Sequence, residues 1–156
     1  MALVIRKGVE KDFPAVFKQI QELAEHEKMP GAVKISAEQL KKDRGLFGLF
    51  VAEENGGIVG YALYFFSYST WVGKNLYMED LYVKPEYRRR KVGSMLLSKV
   101  FGVAKKNGCK RVRWQVLDWN ADAIKFYKKH GARISGQWLN CDFDEKGINE
   151  FLAKNA

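Results

Sequence analysis

The chemistry easiest to read lies in residues 81–94, Leu-Tyr-Val-Lys-Pro-Glu-Tyr-Arg-Arg-Arg-Lys-Val-Gly-Ser. An apolar stretch is stopped by Pro85, four consecutive cations follow (Arg88, Arg89, Arg90 and Lys91), and Gly93-Ser94 opens an amphipathic run. If a strand ends there and a helix begins at Gly93, the unpaired N–H groups and positive dipole end of that helix form an anion site. A pyrophosphate suits it. Charge is divided accordingly: residues 1–80 carry 10 Lys/Arg and 11 Asp/Glu, residues 81–156 carry 17 and 7. The asymmetry predicts a polyanionic ligand on surface built by the second half. Nucleic acid and a multiply phosphorylated cofactor both answer that description, and composition does not choose between them.

The elements that must position this loop follow from hydrophobic period and turn chemistry. Residues 3–5 read as an opening strand. Asp12 is placed to cap a helix with Pro14 in its first turn and Val16, Ile20, Leu23 and Ala24 on one face. Ser36, three residues before Gln39, starts a second helix. Strands at 49–53 and 58–66 flank Asn55-Gly56-Gly57, whose residues tolerate positive φ, and predict a hairpin. A strand follows at 76–83. A helix at 94–106 turns Leu97, Val100, Phe101 and Ala104 inward and closes at Asn107-Gly108. Residues 111–117 alternate as a strand, Asn120 caps a helix running to His130, 138–143 form a last strand, and a helix frays from Glu145. Hairpins followed by strand–helix–strand units make a mixed α/β sheet.

At 156 residues, nearly half of them apolar, the chain has the size and core of one domain, with no linker or repeat. It contains no apolar run of membrane-spanning length and its first residues lack a signal peptide's layout, so no membrane association is expected. Cys109 and Cys141 stand apart without a CxxC, which suggests reduced thiols and a cytoplasmic setting. His26 and His130 are too few and too distant in sequence to predict a metal site.

The segment Arg88-x-x-Lys91-x-Gly93 resembles the Arg/Gln-x-x-Gly-x-Gly/Ala signature of the GCN5-related N-acetyltransferase (GNAT) family. Lys91 stands where that pattern has Gly. Its amide can still be offered if φ stays negative, and its ammonium adds attraction. The block Asn120-Ala-Asp-Ala-Ile-Lys-Phe-Tyr127, followed by Gly131-Ala132, is similar to the family's later motif. Glu22 to Met29, Tyr68 to Lys74, Leu76 to Val83 and Leu117-Asp118-Trp119-Asn120 resemble the diamine acetyltransferase branch, which acts on polyamines and on thialysine. Ser69-Thr70-Trp71 and Leu117 to Asn120 look closer to the thialysine-preferring members.

The resemblance implies a single N-acetyltransferase domain over residues 1–156, a twisted, mostly antiparallel sheet of six to seven strands, and acetyl-CoA as donor. It implies coenzyme A contacts from Leu81, Tyr82, Val83, Arg88, Arg89, Arg90, Lys91, Val92, Gly93, Ser94, Asn120 and Tyr127. Amine acetylation needs a proton acceptor, an oxyanion donor and a proton for the departing thiolate. Glu79, between Met78 and Leu81 with Asp80, is expected to be partly desolvated, with a raised pKa, and to position and deprotonate the amine through water. Asp80 is counted with the substrate residues but, by strand alternation, points to the opposite face and takes a different role. His26 and Glu27 are expected at the distal end of the substrate, and Trp71 and Trp138 along its aliphatic part. A backbone N–H near Leu81 is expected to serve the oxyanion, and Tyr127 to protonate the thiolate. The acceptor implied is a small-molecule primary amine, with a protein or peptide lysine as the alternative, and a homodimer is implied, as is common among family members. A catalytically silent acyl-CoA binder is a further alternative. A nucleic-acid module is the remote reading, since no recognition helix or stacking strand accompanies the cations.

Overall fold

The computed structural model describes residues 2–156. Its residues fall into two compact units, one running to Leu117 and one from Asp118 to Ala156.

The first unit is built on five strands: β1 (Val4–Lys7), β2 (Gly48–Glu54), β3 (Gly57–Ser69), β4 (Gly73–Val83) and β5 (Arg111–Arg113). They lie in sequence order; the first three pairings are antiparallel and β4–β5 is parallel. The sheet therefore has five strands among the described residues, fewer than expected. Residues 138–143, expected as a last strand, find no ladder partner among the described residues, and a strand needs one for its backbone groups. The strand expected over 111–117 stops at Arg113.

Asn55 and Gly56 both have positive φ (53° and 77°), the type I′ geometry that joins β2 to β3 without splaying them. Helices α1 (Phe13–His26) and α2 (Ala37–Lys42) precede β2, and α3 (Val92–Lys106) carries the chain from β4 to the parallel β5. Residues paired across strands share a face, so Leu49 with Leu63 and Val51 with Tyr61 line one side. There they form a core with Phe13, Val16, Leu40 and Tyr82. Helix α3 buries Val92, Leu96, Leu97, Val100 and Ala104 and packs on β2, β3 and β4. Phe101, expected inward, lies at the edge of that stripe, 40% exposed, with its ring 6.2 Å from Trp114.

Asp12 does stand at the N-cap of α1, but its side chain does not cap it. It accepts two bonds from the Arg6 guanidinium (2.7 and 2.8 Å) and one from Val9 N–H (2.9 Å). Arg6 also reaches Glu53 at 2.6 Å. Burying Asp12 with a bidentate cation satisfies the carboxylate better than one backbone N–H would. Ser36 behaves as expected, its hydroxyl accepting from Gln39 N–H. Gln19, fully buried, donates to Ile58 O at 2.8 Å and so pins α1 to β3.

The second unit holds α4 (Ala121–Lys129) and α5 (Glu145–Lys154). Asn120 caps α4, accepting from Ala123 N–H at 3.3 Å, and Gly131 (φ 87°) follows its end. Asp144 caps α5 through Gly147 N–H at 2.8 Å, which makes it a regular helix instead of a frayed tail.

Candidate active site

β4 positions most of the first unit's candidate groups, because its regularity fails twice. Against β3 the register steps from Met78↔Tyr64 to Asp80↔Leu63, which leaves Glu79 as the extra residue of a β-bulge. Across that bulge the alternation of faces restarts. Asp80 joins the α1 side with Leu63, and Met78 stays on the α3 side with Tyr64. Glu79 and Asp80 still point apart, Glu79 to solvent and Asp80 inward, but the bulge, not simple alternation, sets which of them turns in. On its other edge β4 pairs with β5 only from Asn75 to Tyr77, so from Met78 to Val83 that edge has no ladder partner among the described residues. Backbone donors near Leu81 are thus available where an oxyanion donor is expected.

The carboxylates gather around the bulge. Asp80 has its carboxyl deep in the protein, accepts from Tyr61 OH at 2.8 Å, and is pushed up to about 6, chiefly by burial. Tyr61 holds it down somewhat, while the charges of Glu79 and Glu27 raise it further. Glu27, just past the end of α1, is half-buried and also raised, by burial first and then by Glu79. Glu79 itself is exposed. The desolvated strand carboxylate is therefore Asp80, not the expected Glu79, because the bulge turns Glu79 out to solvent and Asp80 in towards Tyr61. Tyr61 carried no signal in the sequence, where it is one aromatic in an apolar strand.

Past β4, Pro85–Tyr87 makes a 3-10 turn, closed by Arg88 N–H on Pro85 O, and Lys84 N–H bonds Val59 O at 2.9 Å. Arg89 and Lys91 both have φ near +62°. Lys91 thus occupies the left-handed region, so the negative φ set as the condition for offering its amide is not met. Two non-glycine residues there cost about 1–2 kcal/mol each. With Arg90 between them, the signs of φ alternate along the loop, and such alternation turns successive N–H groups towards one concavity, an anion nest. Lys91 is the N-cap of α3 and contributes no side-chain cap, so the helix start adds its own donors. The local backbone fits a diphosphate.

The side chains of this loop are used differently from one another. Arg88 donates to Val83 O at 2.9 Å and lies over the Tyr82 ring, 5.8 Å from its centroid. Arg90 forks the Glu54 carboxylate, with the closer contact at 2.6 Å. Arg89 and Lys91 are exposed. Tyr82 is buried, its OH donating to Glu22 at 2.9 Å and its pKa pushed up to about 12 by burial and then by that bond. Its side chain is core, so only its backbone, with that of Leu81 and Val83, remains for a ligand. Val92 is buried, and Gly93 and Ser94 are part-buried in the first turn of α3. A cleft of about 500 Å³ lies between α1 and this loop, lined by Glu22, His26, Tyr82, Lys84 and Arg88 among others. Glu22 and Glu54 were missed in the sequence, where they read as ordinary charges.

Trp71 is 81% exposed in the turn after β3, where Ser69 Oγ accepts from Trp71 and Val72 N–H. In the second unit Tyr127 is buried on α4, its ring 5.4 Å from that of Phe126. Ala132 N–H closes on Tyr127 O at 3.1 Å. Asn120 spends its carbonyl on the cap of the same helix. Trp138 lies in the irregular stretch before α5, 73% exposed.

A cationic nest at one end of a half-strand and clustered carboxylates at its bulge suit a polyanion and a cation. Comparison with known proteins identifies the family. The family model described as Acetyltransferase (GNAT) family matches residues 12–132. The thialysine N-epsilon-acetyltransferase of Sus scrofa is 40% identical over 98% of this chain and 99% of its own length. That of Bos taurus is 44% identical, over 97% and 98%. An aminoglycoside N-acetyltransferase solved in complex with CoA shares the fold, with a TM-score of 0.75 at 15% identity, covering 91% of this chain and 95% of that one.

Proposed function

The chain belongs to the acetyltransferase (GNAT) family, and from that membership we propose that it acetylates a primary amine of a small molecule of the thialysine or diamine type, with acetyl-CoA as donor. The observation that carries this is the pairing on β4 of a carboxylate bulge (Glu79, Asp80) with a following anion nest (88–94). The near full-length likeness to two thialysine N-epsilon-acetyltransferases supports the acceptor class. The family match, over residues 12–132, covers most of the first compact unit and the start of the second, and we read residues 1–156 as one catalytic domain.

Bound acetyl-CoA supplies an activated acetyl thioester. The loop and first turn of α3 hold its diphosphate through backbone N–H groups of residues 88–94, with Arg89 and Lys91 adding charge at the rim. Backbone groups of Leu81 to Val83 line the open edge of β4, and an N–H there stabilises negative charge developing on the acetyl oxygen. Asn120 and Tyr127 contribute from α4. The acceptor amine, with an ordinary pKa of about 10.4, must shed a proton before attack. Exposed Glu79 receives the ammonium. The proton passes through water to the Glu79–Asp80 pair, in which Asp80, near 6, has the more useful basicity. Glu27 and His26 face the far end of the acceptor, Trp71 and Trp138 its methylenes. Tyr127 OH protonates the sulfur as the new amide forms.

We also read the enzyme as a cytoplasmic homodimer. Exposed Leu139, Phe143, Phe151 and Leu152 in the second unit supply apolar surface for a second copy, and unpaired Cys109 and Cys141 suit a reducing compartment. No helix among the described residues is long and apolar enough to cross a membrane.

The test is thiol release with acetyl-CoA and a panel of thialysine, spermidine, ornithine and lysine-containing peptides. The reading expects small amines to be preferred, thialysine first. Preferential turnover of peptides would replace it with a protein acetyltransferase.

A further inference from the structure

We propose that Glu54 is a positioning residue for the acyl-donor loop, acting through Arg90 as a strut. This rests on reading residues 88–94 as the diphosphate cradle. Arg89 and Lys91 sit at positive φ without being glycine, a backbone that persists only where surrounding contacts hold it. The first part of the loop is tied to the sheet by Lys84 N–H on Val59 O and by Arg88 on Val83 O. Between the two left-handed residues the tie is Arg90. Its Nη2 donates to Glu54 Oε1 at 2.6 Å and its Nη1 to Oε2 at 3.3 Å, and its guanidinium lies over the Tyr87 ring at 5.2 Å. Glu54 is the last residue of β2, paired with Gly57 across the tight turn, and its side chain is only 13% exposed. A rigid hairpin end thus grips the middle of a strained loop. Arg90 stays exposed at the surface, but its guanidinium is engaged by Glu54, so it acts on the ligand through backbone shape and not as a phosphate partner.

The strut predicts the opposite of simple electrostatics. A carboxylate beside a polyanion site repels the ligand, so removing its charge should tighten binding. If Glu54 holds the nest in shape, removing it loosens binding.

Calorimetry with desacetyl-CoA on wild type, Glu54→Gln, Arg90→Gln and the double variant separates the two. The strut expects Glu54→Gln to weaken binding about fivefold, the scale of one well-formed, partly shielded ion pair. It also expects the double variant to be no worse than the weaker single one. KM for acetyl-CoA should rise with kcat at saturation retained. Without ligand, limited trypsin digestion should cut after residues 88–91 faster in Glu54→Gln than in wild type, at matched thermal midpoints. Equal or tighter binding by Glu54→Gln, or additive and opposite effects of the two single variants, would overturn the strut. Unchanged tryptic cleavage would do the same. If wild type bound no desacetyl-CoA, the donor reading would fall, and the trypsin comparison would still decide the strut.

Discussion

Asp80→Asn tests the carboxyl at the bulge through stability as well as rate. In the folded protein Asp80 titrates near 6, against 3.8 in a solvated chain. Below the lower value it is protonated in both states, and above the upper one it is ionised in both. Between them the folded state holds more protons, so this group's contribution to stability falls as pH rises through the window. At about 1.4 kcal/mol per pKa unit, the total is about 2–3 kcal/mol. Asparagine cannot ionise but still accepts from Tyr61 OH. Its amide N–H groups add an offset that does not depend on pH. The unfolding free energy of the variant minus that of wild type should therefore increase by about 2–3 kcal/mol between about pH 3.5 and about pH 7. Urea titrations across that range, with the m-value checked for constancy, measure the difference. The same variant should lower kcat/KM and lose a rising limb near pH 6. Two stability curves running parallel across the range would refute the desolvation argument, whatever happened to the rate.

Tyr127→Phe should lower kcat about 100-fold, the usual scale of a lost general acid, while weakening desacetyl-CoA binding far less, as read by calorimetry. Asp12→Asn should cost about 2–3 kcal/mol in urea unfolding, because Arg6 loses a nearly buried bidentate partner. Arg6 holds the Asp12 carboxyl below its usual range, so this contribution is present at neutral pH and lost as the solution is acidified through the carboxylate range. Lys91→Gly should raise the thermal midpoint, gaining up to about 1 kcal/mol by removing a left-handed lysine.

Much of the local structure was legible because its causes are local. The turn at Asn55-Gly56, the caps at Ser36 and Asn120, and the strand–loop–helix unit at 81–94 each follow from residues a few positions apart. The proposed anion site was readable for the same reason: a run of cations before a helix start is a property of contiguous sequence. Family motifs extended that reading to the acceptor class, which composition alone could not distinguish from nucleic acid.

The chain by itself determined which chemistry is present: carboxylates on a strand, a cationic turn, a tyrosine two helical turns beyond an asparagine cap. Tertiary structure alone decided how those groups are used. A bulge opposite Leu63 and Tyr64 assigned the buried carboxyl to Asp80, because register depends on the partner strand. Arg88 and Arg90 were drawn onto Val83 and Glu54, and residues 138–143 pair with no described strand. Burial, pairing and pKa depend on neighbours distant in sequence, and only folding brings them within reach.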